Sequence, residues 1–298
     1  MSDRGVVFDL GYVPYEGARL GTGAAVRATI RDGIRRVLGL RRKARKKILP
    51  WMLVAIALIP AIVFVGLAFL LDSFDPTGAG ADSPFGGHVD FFNLIGNVVL
   101  LFAALAGPEL LVPDRTEGVL AVYSSRPMRA RDYLLGRTGA LAIVLSGFLL
   151  VPQFLMYFGF AALDDAGFLR ALVERSDDLV QIVLTSVVYM LAYGAPAIFI
   201  ATFARRTAPA TGVYLAVMLV LSGFAQGMVD GNVTGAKFAA LGALAQHPAV
   251  VRDWIFDKTS VELAPVDAGW DPWVSLAVVL LVAAVTAVVT TRRYRNLM

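Results

Sequence analysis

Residues 51 to 71 read WMLVAIALIPAIVFVGLAFLL, an apolar run without a charged side chain. At about 1.5 Å per residue, a helix of this length extends about 30 Å, which is the thickness of the hydrocarbon core of a bilayer. Five further runs of similar length follow, at residues 91 to 112, 138 to 160, 179 to 203, 208 to 226 and 273 to 291. The sequence therefore predicts six crossings of a membrane.

The composition and the pattern within these runs favour helices over strands. Hydrophobic residues make up 57% of the chain and charged residues 17%, whereas a soluble domain carries about 25% charged residues. In lipid, backbone N–H and C=O groups need partners inside the protein, which leaves helices or a closed barrel. The runs lack the alternation of barrel strands. We predict an all-α polytopic membrane protein, with a six-helix transmembrane domain at residues 50 to 298 and a cytoplasmic lead-in at residues 1 to 49.

Lys and Arg residues concentrate in alternate connections between the runs. Twenty-two of the 27 lie before the first run, in the connections after the second and fourth runs, or in the C-terminal tail. Because cytoplasmic loops retain positive charge, we expect these segments and both termini to face the cytoplasm. The abundance of Ala, Gly, Val and Arg suggests a bacterium and its cytoplasmic (inner) membrane. Since the basic residues follow topology, they do not indicate a nucleic-acid partner.

The segment before the first run predicts an amphipathic helix. Apolar residues recur at steps of three and four from Val26 to Leu38, and arginines occupy another face. Such a helix suits the surface of an anionic inner leaflet, with membrane lipids as partners. The alternative is a basic juxtamembrane stretch that only fixes topology. The residues assigned to the membrane surface are Arg27, Arg31, Arg35 and Arg42.

The connection between the second and third runs predicts a second short helix. Asp114, with Glu117 three residues later, resembles a capping box that opens a helix over residues 115 to 123. Pro127 is expected to end it. The apolar residues of this helix would lie in the cytosol with no membrane span to join, so we expect it to bind a protein partner.

The same connection carries a motif of wider extent. The motif begins with an acid, Glu109, near the end of the second run. The connection then contains Glu117-Gly118-x-Leu120 and Ser125-x-Pro127-x-Arg129, and it ends with Gly136-Arg137 at the start of the third span. This pattern resembles the signature loop of ABC-2 type transporter permeases. The Arg-Arg turn after the fourth run, the amphipathic lead helix and the six-span layout are also similar to that family. The Ser124-Ser125 pair departs from it, since the family more often has an apolar residue before the hydroxyl.

The resemblance implies that the connection is a coupling helix docked on a separate ATP-hydrolysing subunit. Two copies of that subunit and a second permease, identical or different, would complete an exporter for an amphipathic or hydrophobic substrate. The residues assigned to the coupling interface are Glu109, Arg115, Glu117, Gly118, Leu120, Tyr123, Ser125, Pro127, Arg129, Arg131, Gly136 and Arg137. The chain has no G-x-x-x-x-G-K-[ST] loop. We therefore expect a transporter subunit and not an enzyme, with no cofactor of its own and with ATP and Mg²⁺ on the partner.

Three other classes remain open. An ion-coupled secondary carrier would work without an ATPase, but such carriers usually hold ionisable residues within their spans, and here only Glu109 comes close. A membrane enzyme would need a nucleophile and base that the sequence does not display. A structural or sensory protein would use the same loop for docking without transport. The two histidines, His88 and His247, are expected to be solvated and to hold no metal.

Overall fold

The computed structural model describes residues 21 to 40, 45 to 74, 87 to 124, 128 to 165, 167 to 260 and 262 to 298. Within these ranges all of the regular secondary structure is helical, which confirms the predicted all-α class. Two helices lie outside the six predicted spans on the side of the basic connections. They are α1 (Thr22–Val37) and α4 (Val119–Ser124).

Six helices of the described residues are long and apolar enough to cross a membrane. They are α2 (Arg45–Phe74), α3 (His88–Thr116), α5 (Ala130–Ala162), α7 (Ser176–Phe203), the pair α8 (Thr207–Leu215) and α9 (Leu221–Asp230) joined by a π-helical turn at Ala216–Val220, and α13 (Pro272–Arg295). Each contains one of the six predicted runs, so the prediction of a multi-pass membrane protein is confirmed.

Helices α3, α5 and α7 form the centre of the bundle. Most buried side chains lie on these three helices, whereas α2, the α8–α9 pair and α13 expose much of their apolar surface. At Gly107 of α3 a Cβ atom would lie 2.7 Å from Ala197 Cβ of α7. A residue without a side chain is thus required there, as is common where membrane helices pack closely.

Helix α1 packs against α5 through small residues. A Cβ atom at Gly136 would lie 2.5 Å from Thr29 Cγ2, and one at Gly33 would lie 2.6 Å from Ala140 Cβ. The arginines assigned to the membrane surface lie on the remaining sides: Arg27 and Arg31 are exposed, Arg35 is half-buried, and Arg42 lies outside the described residues. The amphipathic helix therefore exists with one side on the protein, and its contact with lipid stays a prediction.

At the opposite end of the bundle, short helices fill the connections. They are α6 (Phe168–Glu174), α10 (Ala236–Ala239) with a 3₁₀ turn at Ala240–Gly242, α11 (His247–Ile255) and α12 (Ala264–Asp267). The expectation that both histidines are solvated is wrong. His247 is fully buried, with Nδ1 2.9 Å from Ser275 Oγ and Nε2 3.1 Å from the Leu241 carbonyl oxygen. His88 Nδ1 lies 2.5 Å from Oε1 of the buried Gln153.

Candidate functional site

The helix predicted after the second span begins later than expected. Helix α3 continues through Pro113 to Thr116, so Asp114 lies inside a helix and does not open one. The predicted capping box is therefore wrong. Glu117 follows the last turn of α3, and its N–H donates to the Pro113 carbonyl oxygen at 2.9 Å. Gly118 then takes a φ of +72°, the left-handed conformation that commonly ends helices.

Helix α4 follows this glycine directly and is bound to the bundle on one side. Leu120 is 6% exposed and packs into the core, and Tyr123 is half-buried against it. Glu117, Gly118 and Ala121 are exposed. The short helix is therefore fixed to the bundle through Leu120 and Tyr123, while Ala121 and the preceding turn of Glu117 and Gly118 are exposed.

Beneath α4 lies a group of charges that we name the ion cluster: Asp32 and Arg36 of α1, Asp114 of α3 and Arg137 of α5. Arg36 Nη1 lies 2.7 Å from Asp114 Oδ1. Arg137 Nη2 lies 2.6 Å from Asp114 Oδ2, and its Nη1 lies 2.8 Å from Asp32 Oδ2. Two carboxylates thus face two guanidinium groups, and three helices meet at a set of charges that is neutral in sum.

Because the centre of the ion cluster is buried, substitution of either partner there should lower the stability of the protein. The side chains of Asp114 and Arg137 are 1% and 0% exposed. Removing one partner of a buried ion pair leaves the other charge without compensation, at a cost of about 3 to 5 kcal/mol. Arg137 was assigned to the coupling interface by its motif, but its interior position makes it a brace between helices and keeps it off the exposed surface.

A series of tyrosine rings connects α4 to two spans. The Tyr123 ring of α4 lies 5.5 Å from that of Tyr133 on α5, which stacks on Tyr294 of α13 with 5.6 Å between centroids. The Tyr133 hydroxyl donates to Asp114 Oδ2 at 2.9 Å. Arg137 Nη2 lies 3.5 Å from the Tyr123 hydroxyl. We name Tyr123, Tyr133 and Tyr294 the tyrosine stack; it joins α4 to the ion cluster.

Arg115 has a different position from the one its motif implies. Its guanidinium donates to the carbonyl oxygen of Ala201 at 3.3 Å and to those of Thr202 and Ala204. These carbonyls end α7, where unpaired acceptors and the negative end of the helix dipole favour a cation. Arg115 therefore ties the end of α3 to the end of α7.

The remaining assigned residues lie around α4. Arg129 and Arg131 are exposed at the start of α5, and Gly136 is buried against α1. Glu109 is half-buried and lines a cavity of about 380 Å³ between α1, α2, α3 and α8. Ser125 and Pro127 lie outside the described residues. The structure thus brings Glu117, Gly118, Arg129 and Arg131 to the surface and places the other described members inside or between helices.

Sequence reasoning missed Asp32, Asp114 and Tyr133 as members of this site. A signal exists in their spacing, because Asp32 and Arg36 are four residues apart on one helix, as are Tyr133 and Arg137. Each pair lies on one helix face. The contacts between the pairs depend on packing and have no local signal.

Comparison with protein-family models finds no match to this chain, and comparison with curated proteins finds none.

Proposed function

We propose that this chain is the transmembrane subunit of an ATP-driven exporter of the ABC-2 type. Helix α4 carries the proposal, since it is a six-residue helix beyond the ends of the spans, fixed to the bundle on one side and exposed on the other. Such a helix suits insertion into a groove of a second protein. The distribution of Lys and Arg supports a cytoplasmic location for this end of the bundle, where ATP is available.

The contacts beneath α4 provide a route for mechanical coupling. A force on α4 reaches α5 and α13 through the tyrosine stack, and it reaches α1 and α3 through the ion cluster. Because buried ion pairs separate at high cost, these elements move together. In the proposed mechanism, ATP-dependent closure of two partner subunits presses on α4 in each of two paired permeases and changes access between them.

The cavity beside Glu109 supports an amphipathic substrate. Its wall combines the charged side chains of Arg36 and Glu109 with the apolar side chains of Phe102 and Leu105. A ligand with a polar and an apolar end suits this arrangement, since pockets are mostly apolar with a few placed polar groups. ATP and Mg²⁺ are assigned to the partner subunit, and this chain supplies the pathway.

The proposal is tested by purifying the protein from its source membranes and asking whether an ATP-binding chain purifies with it, and whether this depends on Glu117. We expect a chain that is photolabelled by azido-ATP to purify with the native protein. Glu117→Arg reverses a charge on the exposed side beside α4 and should reduce the amount of that chain at least ten-fold. Asp165→Arg is the matched control, because Asp165 is also exposed but lies in the connection between α5 and α6, at the other end of the bundle.

The two variants separate loss of docking from loss of folding. Both should elute as monodisperse protein with the native yield, and only Glu117→Arg should lose the ATP-binding chain. Equal recovery of that chain with both variants, or its absence from the native preparation, would contradict the proposal. Transport by the isolated chain in liposomes under a pH gradient would instead favour an ion-coupled carrier.

A further inference from the structure

A groove of about 500 Å³ runs along the outside of the bundle between α5, α7 and α13. It is separate from α4 and from the cavity beside Glu109. Leu135, which is 61% exposed, and the exposed Ala287 form part of its wall. The groove therefore opens sideways, toward the lipid that surrounds a membrane-spanning bundle.

The groove covers one half of the membrane thickness. Its described lining begins near the midpoint of each helix, at Leu145 of α5, Met190 of α7 and Ala283 of α13. It runs from there to Arg131 and Thr291, at the end of the bundle that also carries α4. From residue 131 to residue 145 a helix rises about 21 Å. This is half the thickness of a bilayer with its headgroups, which is about 40 to 45 Å.

The wall of the groove is apolar over most of this depth. Four threonines line it. Thr291 lies at the end of the groove beside Arg131, and the hydroxyl groups of the other three already have partners in the protein. Thr138 Oγ1 donates to the Leu134 carbonyl oxygen at 2.7 Å. The hydroxyls of Thr286 and Thr290 bond to Ala195 and Thr202 of α7. The surface left to an occupant therefore suits hydrocarbon.

A positive charge lies at the headgroup end of the groove. Among the described lining residues Arg131 alone is charged, and it is exposed. The neighbouring acid, Asp132, accepts a hydrogen bond from the Arg129 N–H at 3.0 Å. Arg292 and Arg295 in the last turn of α13 are exposed and add positive charge at the same end.

We propose that this groove binds an anionic glycerophospholipid from the leaflet at the α4 end of the bundle. One acyl chain lies between α5, α7 and α13, and the phosphate lies against Arg131. Basic pockets between membrane helices are a recurring site for anionic headgroups. The site does not depend on a partner ATPase, so its test stands apart from that of the proposed function.

Photocrosslinking in lipid nanodiscs tests this site. The protein is placed in phosphatidylcholine discs that contain a small fraction of phosphatidylglycerol with a photoreactive group on the acyl chain. Photoreactive phosphatidylcholine at the same fraction serves as the comparison. We expect labelled peptides from α5, α7 and α13 within the groove, with about five-fold more label from phosphatidylglycerol, the factor expected for one Arg at an anionic surface.

Variants distinguish a specific site from general contact with lipid. Arg131→Gln should abolish most of the preference for phosphatidylglycerol, whereas Arg206→Gln, at an exposed basic residue outside the groove, should retain it. Ala142→Phe fills the groove and should lower labelling by both lipids. Equal labelling by the two lipids, or a preference that survives Arg131→Gln, would overturn the proposal. A disulfide between two copies of Leu135→Cys would also overturn it, because a second copy would then occupy the groove.

Discussion

Asp114, near the end of α3, joins that helix to α1 and α5. Its two carboxylate oxygens accept hydrogen bonds from the side chains of Arg36, Tyr133 and Arg137. Arg36 lies on α1, whereas Tyr133 and Arg137 lie on α5. Arg36 lies 78 positions away in the sequence and Arg137 lies 23 positions away. A local pattern such as the spacing of Asp114 and Glu117 cannot reveal these partners. The capping-box prediction was wrong because long-range charge pairing determined the role of Asp114.

Replacing Asp114 should destabilise the protein strongly. Asp114→Asn removes the charge opposite the fully buried Arg137, so we expect a loss of about 3 to 5 kcal/mol in the free energy of unfolding. Unfolding in detergent, followed by circular dichroism, measures this. Asp132→Asn is the control, because in the part of the chain that the structure describes the Asp132 side chain accepts one N–H at the start of α5. Asn retains an acceptor there, and loss of the negative charge near the helix N-terminus should cost at most about 1 kcal/mol.

The double variant Asp114→Asn with Arg137→Gln sharpens this test. It removes both charges of the most buried pair, so it should be more stable than Asp114→Asn alone. Equal unfolding midpoints for Asp114→Asn and Asp132→Asn would show that the ion cluster contributes little to stability.

The sequence predicts the membrane-spanning part of each long helix but not where the helix begins and ends. The six spans follow from the length of their apolar runs, and each predicted run lies inside an observed helix. The observed helices extend beyond the predicted runs. The run at residues 138 to 160, for example, belongs to the helix Ala130–Ala162. The added turns carry polar residues such as Arg131 and Asp132, which continue a helix outside hydrocarbon. Hydropathy alone therefore predicts the crossing and misses the parts that hold the site.

The packing of α1 against α5 has a weaker signal in the sequence. The amphipathic pattern of α1 predicted one apolar face, and lipid was the expected neighbour. The structure instead places Thr29 and Gly33 against Gly136 and Ala140. Small residues four apart on both helices permit this close approach. That spacing is present in the sequence, but it becomes informative only when both helices are known to be neighbours.

Gly118 determines where α4 begins, and its substitution should affect this element. Gly118→Ala places a Cβ at φ +72°, which costs about 1 to 2 kcal/mol. We expect the free energy of unfolding to fall by that amount, and less of the ATP-binding chain to purify with the variant. Gly212→Ala on α8 is the control, since it is helical with open space around it, and alanine there should be neutral or stabilising by about 1 kcal/mol.

The left-handed turn would have no such role if Gly118→Ala unfolded at the native midpoint and the ATP-binding chain still purified with it. Loss of stability in Gly212→Ala would point to a general effect of added methyl groups in detergent.

The two ends of the helical bundle differ in their charge and in their short helices. One end carries α1, α4 and the arginines that begin α5 and follow α7. The other holds the short helices α6, α10, α11 and α12, with acids such as Asp165 and Asp271 exposed. This asymmetry could be predicted from charge alone, because it depends on which connection each residue occupies. Charge alone does not identify the proposed partner, because docking would also depend on the surface of another chain.

Because the chain has no cysteine, docking of α4 on an ATP-binding chain can be tested with a single introduced Cys. A single Cys at Ala121, on the exposed side of α4, carries a benzophenone maleimide in inverted membrane vesicles from the source cell, in which the cytoplasmic face points outward. Asp165→Cys at the opposite end is the control. We predict that Cys at position 121 reacts and crosslinks on illumination to a chain that binds azido-ATP, while Cys at position 165 does neither. Labelling at position 165 instead of 121, or no ATP-binding adduct from position 121, would contradict the cytoplasmic docking of α4 on an ATP-hydrolysing subunit.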